Sequence, residues 1–345
     1  MRQIRNSKKH PIWGIYGIPI FLILLCSCVE DLRIKGEFIP ELIVNGFLCP
    51  DSCITVHISK TRPIKSSGTP NLYDLRRLDI QVSINEGDFF PLELDSSSLS
   101  SSEQPTIKFL CQTKPKPGDK IEITANDPKK EYKSIYAHTH IPEPIEINYV
   151  THFTEYHDFP TGSHNYEMDS LIHFVFSIKD NPNVKNYYKI LFTNFLYFDY
   201  TDYGVSFDRI DGPVNYYDPI FSKGNIKLID DTIIPYNPYE VKLSIWDEIY
   251  GSFYGTIYHQ NPSHRYFFFS VECLTKEGYL YLKSRESALN SEQDIFTEPI
   301  ALYSNIHGGK GIFYGFSAPN ILLEFIDHMT EKQMNIRKNV ILKSK

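Results

Sequence analysis

The run Gly308-Gly309-Lys310-Gly311 has the residue types of a phosphate cradle, because glycine backbones can approach an anion closely and a lysine can neutralise it. It lacks the earlier glycine and the Ser or Thr after the lysine that a P-loop requires. The run therefore predicts a turn or bulge at positive φ, with Gly308, Gly309 and Gly311 as architectural residues and Asn305 satisfying nearby backbone groups. His152, His157, His164 and His173 stand five, seven and nine residues apart, spacings that match no metal-ligand template, and no HExxH is present. They read as histidines of loops and solvated strand faces, so no metal is expected. No GxSxG elbow, catalytic cysteine signature or dinucleotide fingerprint occurs. With 42 Asp plus Glu, some carboxylates will be close in any fold, and closeness alone does not make a glycosidase. The chain is read as a non-enzyme without cofactor.

One group could recognise a ligand. Phe195, Tyr197, Phe198, Tyr200, Tyr203, Phe207, Tyr216 and Tyr217, with Asp199, Asp202 and Asp208 among them, form an aromatic band. Tyrosine offers apolar area with a polar handle, which suits contact with peptides, glycans or a partner protein. Strands of a large β domain also favour aromatics for packing. From Phe195 to Tyr200 both faces of a strand would be apolar or aromatic, so the strand is either covered twice or docked on a partner. Both readings stay open at this level.

The amino terminus supplies an address. A basic segment with Arg2, Arg5, Lys8 and Lys9 precedes an apolar run from Ile12 to Leu25. That run is broken by Gly14, Gly17 and Pro19 and is too short for a span of roughly 20 apolar residues. It ends in Leu25-Cys26-Ser27-Cys28, which resembles the bacterial lipobox. By that resemblance residues 1–27 are removed and Cys28 becomes the acylated first residue, followed by a tether over 28–40. Several acyl chains give stable membrane anchoring where one does not. Glu30 and Asp31 resemble the acidic export tag of Bacteroidota lipoproteins that reach the outer face of the outer membrane. Cleavage takes the net charge from −7 to −11 and leaves 318 of the 345 residues, a poor balance for holding nucleic acid. A hydrophobic fraction of 41% with 24 Tyr and 23 Phe excludes a disordered chain.

The remaining residues predict a mostly β protein in two parts. Over 41–141 short alternating strands (Leu42-Ile43-Val44, Ile54-Val56-Ile58, Leu78-Ile80-Val82-Ile84, Ile107-Phe109, Ile121-Ile123) alternate with turn clusters such as Asn85-Glu86-Gly87-Asp88, a pattern that fits a small immunoglobulin-like β-sandwich. Cys49 and Cys53 flank a hairpin tip, and a bridge between them is the favoured pairing among Cys49, Cys53, Cys111 and Cys273 in a disulfide-permissive compartment. Ile141-Pro142-Glu143-Pro144 reads as a stiff linker. Over 145–330 a larger, aromatic-rich β domain follows, with strands at Leu171–Ile178, Tyr187–Phe192, Val241–Ile245 and Tyr266–Val271. Tyr279–Leu289 is the best helix, and Ile321-Leu322-Phe325-Ile326-Met329 fits a second helical stripe. Residues 331–345 read as a polar tail that frays.

Asn45-Gly46 after an apolar strand, Asn186-Tyr187-Tyr188 after an Asp-Asn-Pro turn, and Glu298-Pro299 through Ser304-Asn305-Ile306-His307-Gly308-Gly309-Lys310-Gly311-Ile312-Phe313 carry a family likeness. They resemble the Bacteroidota lipoproteins called domain of unknown function 4249, over nearly the whole mature chain. That resemblance implies an outer-membrane lipoprotein, often associated with TonB-dependent receptors, and it brings no catalytic residues. The expected role is that of a non-catalytic accessory or binding subunit with an outer-membrane protein as partner. A surface adhesin is the alternative, and a polysaccharide-acting enzyme a more distant one.

Overall fold

A computed structural model describes residues 38–63, 71–96, 106–158, 168–200, 204–210, 214–216, 226–233, 237–246, 264–291, 300–328 and 331–338. The protein is mostly β. The first strands are β1 (Leu42–Leu48), β2 (Thr55–Lys60), β3 (Asp79–Ile84), β4 (Phe90–Pro91), β5 (Glu93–Leu94), β6 (Ile107–Leu110), β7 (Lys120–Asn126) and β8 (Ile135–His140). Then come β9 (Glu146–Asp158), β10 (Met168–Lys179), β11 (Tyr187–Tyr200), β12 (Gly204–Ile210), β13 (Val214–Tyr216), β14 (Ile226–Asp230), β15 (Tyr239–Trp246) and β16 (His264–Leu274). Helix α1 (Lys276–Ser291), β17 (Lys310–Ser317), β18 (Asn320–His328) and β19 (Glu331–Lys338) complete the order.

Alternation drives the early strands. In β8, Ile135, Ala137 and Thr139 point inward while Tyr136, His138 and His140 stay out, the period-2 pattern of a half-buried strand. β4-β3-β7-β8 form one sheet, and β17-β1-β2-β6-β5 form a run of another. Val44, Val56, Ile58 and Phe109 from the second run share one apolar cluster with Ile80, Val82, Ile121, Ile123 and Ala137 from the first sheet. Ile141 belongs to this cluster, whereas Ile145 packs on a second one, so the proline pair lies where the chain changes cores.

The second core is aromatic. Phe174 and Phe176 of β10 meet Phe192 of β11 and Phe267 and Phe269 of β16, with the Phe176 and Phe269 rings stacked at 4.0 Å. Each such ring contributes roughly 2–3 kcal/mol on full burial. β10 lies in the sheet β13-β15-β10-β9, while β11 and β16 continue the long sheet that begins at β5.

Three features depart from the sequence reading. Residues 320–328, expected to be helical, form β18, paired antiparallel with β16 from His264↔Ile326 to Ser270↔Asn320. Ile321 and Leu323 enter the second core while Leu322 and Glu324 take the other face. The apolar spacing fitted both periods, and the waiting edge of β16 selected the strand. The expected polar tail is instead β19 over 331–338, paired with β18 along its length; the ladder satisfies the backbone groups on its β18 side, which offsets its weak hydrophobicity. Finally, β17, assigned by sequence to the second part, runs parallel to β1, from Ile43↔Lys310 to Leu48↔Gly315. Ile306 and Phe313 from that segment are buried in the first core.

The helix at 276–291 agrees with the sequence reading. Thr275 caps it, its Oγ1 accepting from Gly278 N at 3.3 Å, and Glu277 occupies the first turn. Gly278 lets α1 lie flat on β17: a Cβ there would stand 2.5 Å from the Tyr314 ring.

Candidate functional site

The glycine run is where the chain is most tightly constrained. Asn305 imitates a strand: its Nδ2 donates to Phe313 O at 2.7 Å, and its Oδ1 accepts from Phe313 N at 2.9 Å. His307 exchanges two backbone hydrogen bonds with Tyr136 of β8, at 2.9 and 3.1 Å. Between these anchors the chain passes against two backbones. Gly308 (φ +83°) would bring a Cβ within 2.1 Å of Ser134 O, and Gly311 (φ +108°) within 2.1 Å of Val44 O. Gly309 would meet Leu42 O at 2.6 Å. Asn305, Gly308, Gly309 and Gly311 thus join β8 of one sheet to β1 of the other, and the lysine between them reaches Glu41 at 3.9 Å rather than an anion site. The local chemistry is that of a clasp.

A second node explains the Asp-Asn-Pro turn and Asn186. Asn186 Nδ2 donates to Asp180 Oδ1 and Val184 O, both at 2.8 Å, and Asn186 N donates to Asp231 Oδ2 at 2.8 Å. Tyr188 OH donates to the same Asp180 carboxylate. Burial, then the hydrogen bond to Asp180, pushes the Tyr188 hydroxyl well above the usual phenol range. These contacts fix the entry to β11. There Tyr188, Ile190 and Phe192 are buried in the second core, while Tyr187 packs on Tyr279 of α1 at 4.9 Å.

From that entry β11 continues through the aromatic band. Phe195 pairs with Arg209, Tyr197 with Phe207 and Tyr200 with Gly204 in β12, and Tyr216 of β13 pairs with Leu243 of β15. The backbone positions of Phe195, Tyr197, Tyr200 and Tyr216 are set by these ladders, while Tyr203 and Tyr217 lie outside the described residues. The band is thus carried by two sheets, β11–β12 belonging to the long one and β13 to that of β15 and β10.

One constellation has hydrolase-like residue types that the sequence reading did not single out. Ser244 Oγ lies 2.8 Å from His173 Nδ1, and Glu155 Oε2 lies 3.0 Å from His173 Nε2. Sequence spacing could not have found it, because the three sit on β15, β10 and β9, and His173 directly opposes Ser244 in the ladder. The Ser244 side chain is fully buried, and Phe153 stacks on the imidazole at 4.5 Å. A nucleophile must be reachable from the substrate side; this serine is a buried hydroxyl whose partner is the histidine, as buried polar groups require. Of the other histidines, His152 faces Tyr149 OH, and His164 lies outside the described residues. Among the described residues no three His, Cys, Asp or Glu side chains are placed to hold a metal.

The cysteines correct an expectation. Cys49, Cys53, Cys111 and Cys273 are free thiols, so the Cys49–Cys53 bridge is not formed. The turn is closed by Ser52 N donating to Cys49 O at 3.3 Å. Cys49 Sγ lies 3.1 Å from Ser52 Oγ, whereas Cys53 Sγ turns across the ladder toward Gln112 O at 3.7 Å. Proximity in sequence did not align the two side chains. Cys273 is buried in the second core, and desolvation pushes its thiol up to about 11. Cys28, Glu30 and Asp31 lie outside the described residues.

At the start of β1 a polar network ties the turn Tyr73–Arg77 to the loop after β7. Lys60 Nζ contacts Asp74 at 2.8 Å, and Tyr132 OH donates to the same carboxylate. Arg77 binds Asp127 at 2.7 Å and Glu131 at 2.6 Å. Asp127 also accepts from the backbone N–H groups of Lys129, Glu131 and Tyr132. The Arg77 guanidinium and these N–H groups outweigh burial and hold the Asp127 carboxyl well below the usual range.

Residues 30–319 match the family described as a domain of unknown function (DUF4249), and the chain belongs to that family. A comparison with curated proteins finds no match.

Proposed function

We propose that the protein is a lipid-anchored, non-catalytic accessory or binding subunit at the outer membrane, held by acylation of Cys28 and facing outward. It would capture a ligand or partner for an outer-membrane protein, a TonB-dependent-type transporter being the class the family resemblance suggests. The observation that carries this reading is Leu25-Cys26-Ser27-Cys28 at the end of a basic-then-apolar leader, two residues before the family match begins. Glu30 and Asp31 support the outward face. Acyl chains restrict the protein to two dimensions, which raises its effective concentration near a membrane partner and lets modest contacts suffice. The recognition surface proposed is the aromatic band of β11–β13, including Phe195, Tyr197, Tyr200, Tyr203, Tyr216 and Tyr217.

The test is mass spectrometry of the mature amino terminus, followed by mild detergent extraction and affinity purification from native cells. An acylated Cys28 and co-purification of a β-barrel protein are expected. An unmodified terminus beginning elsewhere, or Cys28→Ser protein that still sediments with membranes, would overturn the anchoring. An acylated protein recovered alone from intact outer membranes would overturn the accessory role.

A further inference from the structure

The end of the body that the tether enters has a charge character unlike the chain as a whole. The chain reaches β1 through Glu41, whose N–H donates to Thr61 Oγ1 at 2.9 Å while Leu42 pairs with Lys60. Gly308 and Gly309 pass directly over Ser134 O and Leu42 O, which places the loop after β7 beside this entry. Lys60 reaches Asp74 and Tyr132, and Arg77 reaches Asp127 and Glu131, so the turn Tyr73–Arg77 belongs to the same surface.

The acids here are largely occupied. Asp74 is held by Lys60, Asp127 and Glu131 by Arg77, and Glu41 lies by Lys310. Arg76, Lys129, Lys130 and Lys133 are exposed, and among the described residues none of the four has a carboxylate within ion-pair distance. Among the described residues, Asp79, hydrogen-bonded by Gln81, is an exposed acid beside them that no cation holds. Lys130 takes φ +58° at the loop tip. Tyr73 is 71% exposed, with the Arg76 guanidinium 4.8 Å above its ring. A cluster of surplus cations around an exposed tyrosine, on a chain of net charge −7, is the composition of a headgroup contact: lysines and arginines seek lipid phosphates, and tyrosine rings settle at headgroup depth.

We infer that this end of the body, formed by Arg76, Lys129, Lys130, Lys133 and Tyr73, rests on an anionic lipid surface. The inference presupposes the membrane address proposed above. Twelve residues lie between Cys28 and Glu41, and at roughly 3.5 Å per residue the tether spans at most about 45 Å, which keeps the entry end within reach of the lipid once Cys28 is acylated.

The experiment uses the mature chain from residue 28 with Cys28→Ser, free of lipid and detergent, mixed with vesicles of phosphatidylglycerol and phosphatidylethanolamine or of phosphatidylcholine alone. Flotation is expected to recover protein with the anionic vesicles only, and raising salt well above the physiological level should release it. Each neutralised cation should lower partitioning about fivefold, so Lys129→Gln, Lys130→Gln and Lys133→Gln together should lower it on the order of 100-fold with an unchanged melting curve. Arg76→Gln with Tyr73→Ser, on a separate surface segment, gives a second variant expected to weaken binding if the triple variant misfolds. No binding to anionic vesicles, equal binding to phosphatidylcholine, or full binding by folded variants would overturn the inference. Failure of the anchoring reads out elsewhere, as an unacylated Cys28 in native protein, and leaves the vesicle result intact.

Discussion

Replacing Gly311 by alanine should cost the first core a large part of its stability. The residue sits at φ +108°, and an added Cβ would lie 2.1 Å from Val44 O and 2.8 Å from Val44 C, where real Cβ atoms essentially never come within 3.0 Å. Holding a non-glycine residue in that backbone region costs about 1–3 kcal/mol. The clash demands a displacement of roughly 1 Å between β17 and β1, and the obstacle is backbone, not a side chain that could swing away. Such a shift forfeits one or two ladder hydrogen bonds at about 1 kcal/mol each. The expected loss is therefore about 4 kcal/mol, against a total of 5–15 kcal/mol for an ordinary domain. In urea denaturation followed by circular dichroism, with m near 3 kcal/mol/M, the midpoint should fall by more than about 1 M. Gly87→Ala is the control: that glycine has an ordinary φ, its nearest obstacle is Ile84 O at 3.1 Å, and the expected change is within about 1 kcal/mol. If the Gly311 and Gly87 variants melt together, the claim that close backbone approach holds β17 to β1 is wrong.

Further expectations concern single side chains. Asn305→Ala should cost about 2 kcal/mol by leaving the Phe313 N–H and C=O without their partner, and Asn305→Asp should be nearly as damaging, since it keeps the acceptor but sets a carboxylate against the Phe313 carbonyl; thermal melts of both variants check this. Asp127→Asn should lower the melting temperature at pH 7. Because the folded carboxyl titrates below its unfolded value near 3.9, the stabilisation is complete above about pH 5 and is lost as pH falls through the folded value; wild-type and variant melting temperatures should therefore converge toward pH 2, and a constant gap would refute the assignment. Thiol titration at pH 8 should show Cys273 unreactive in native protein, its ionisation displaced to about 11, with reaction appearing only on unfolding, while Cys49, Cys53 and Cys111 react at once.

Local pattern made much of this legible. β2, β3, β7 and β10 read directly from alternation and apolar runs, and the turn at Asn85 and Glu86 (φ 54° and 59°) from its residue types. The Asn305 motif was legible as geometry, because glycines at positive φ and an asparagine beside them have few other uses. What escaped was non-local. Nothing in residues 310–317 announces a parallel partner more than 260 positions upstream. The stripe in β18 suits a helix as well as a strand until β16 supplies an edge. β19, with Glu331, Lys332 and Gln333 at its start, has the composition of a tail and becomes a strand by hydrogen bonding to β18. The Ser244–His173–Glu155 contact arises from cross-strand register, which spacing along the chain does not encode.

The pairing of β17 with β1 bears on how the protein is made. The first core contains Ile306 and Phe313, so synthesis must run almost to the carboxyl end before the opening hundred residues can close. Until then the chain presents an unfilled apolar seam and the bare edge of β1. Contacts of such long sequence separation form slowly, and unpaired edges invite aggregation. During that interval the first core stays open, and its closure is timed by the arrival of a single late strand.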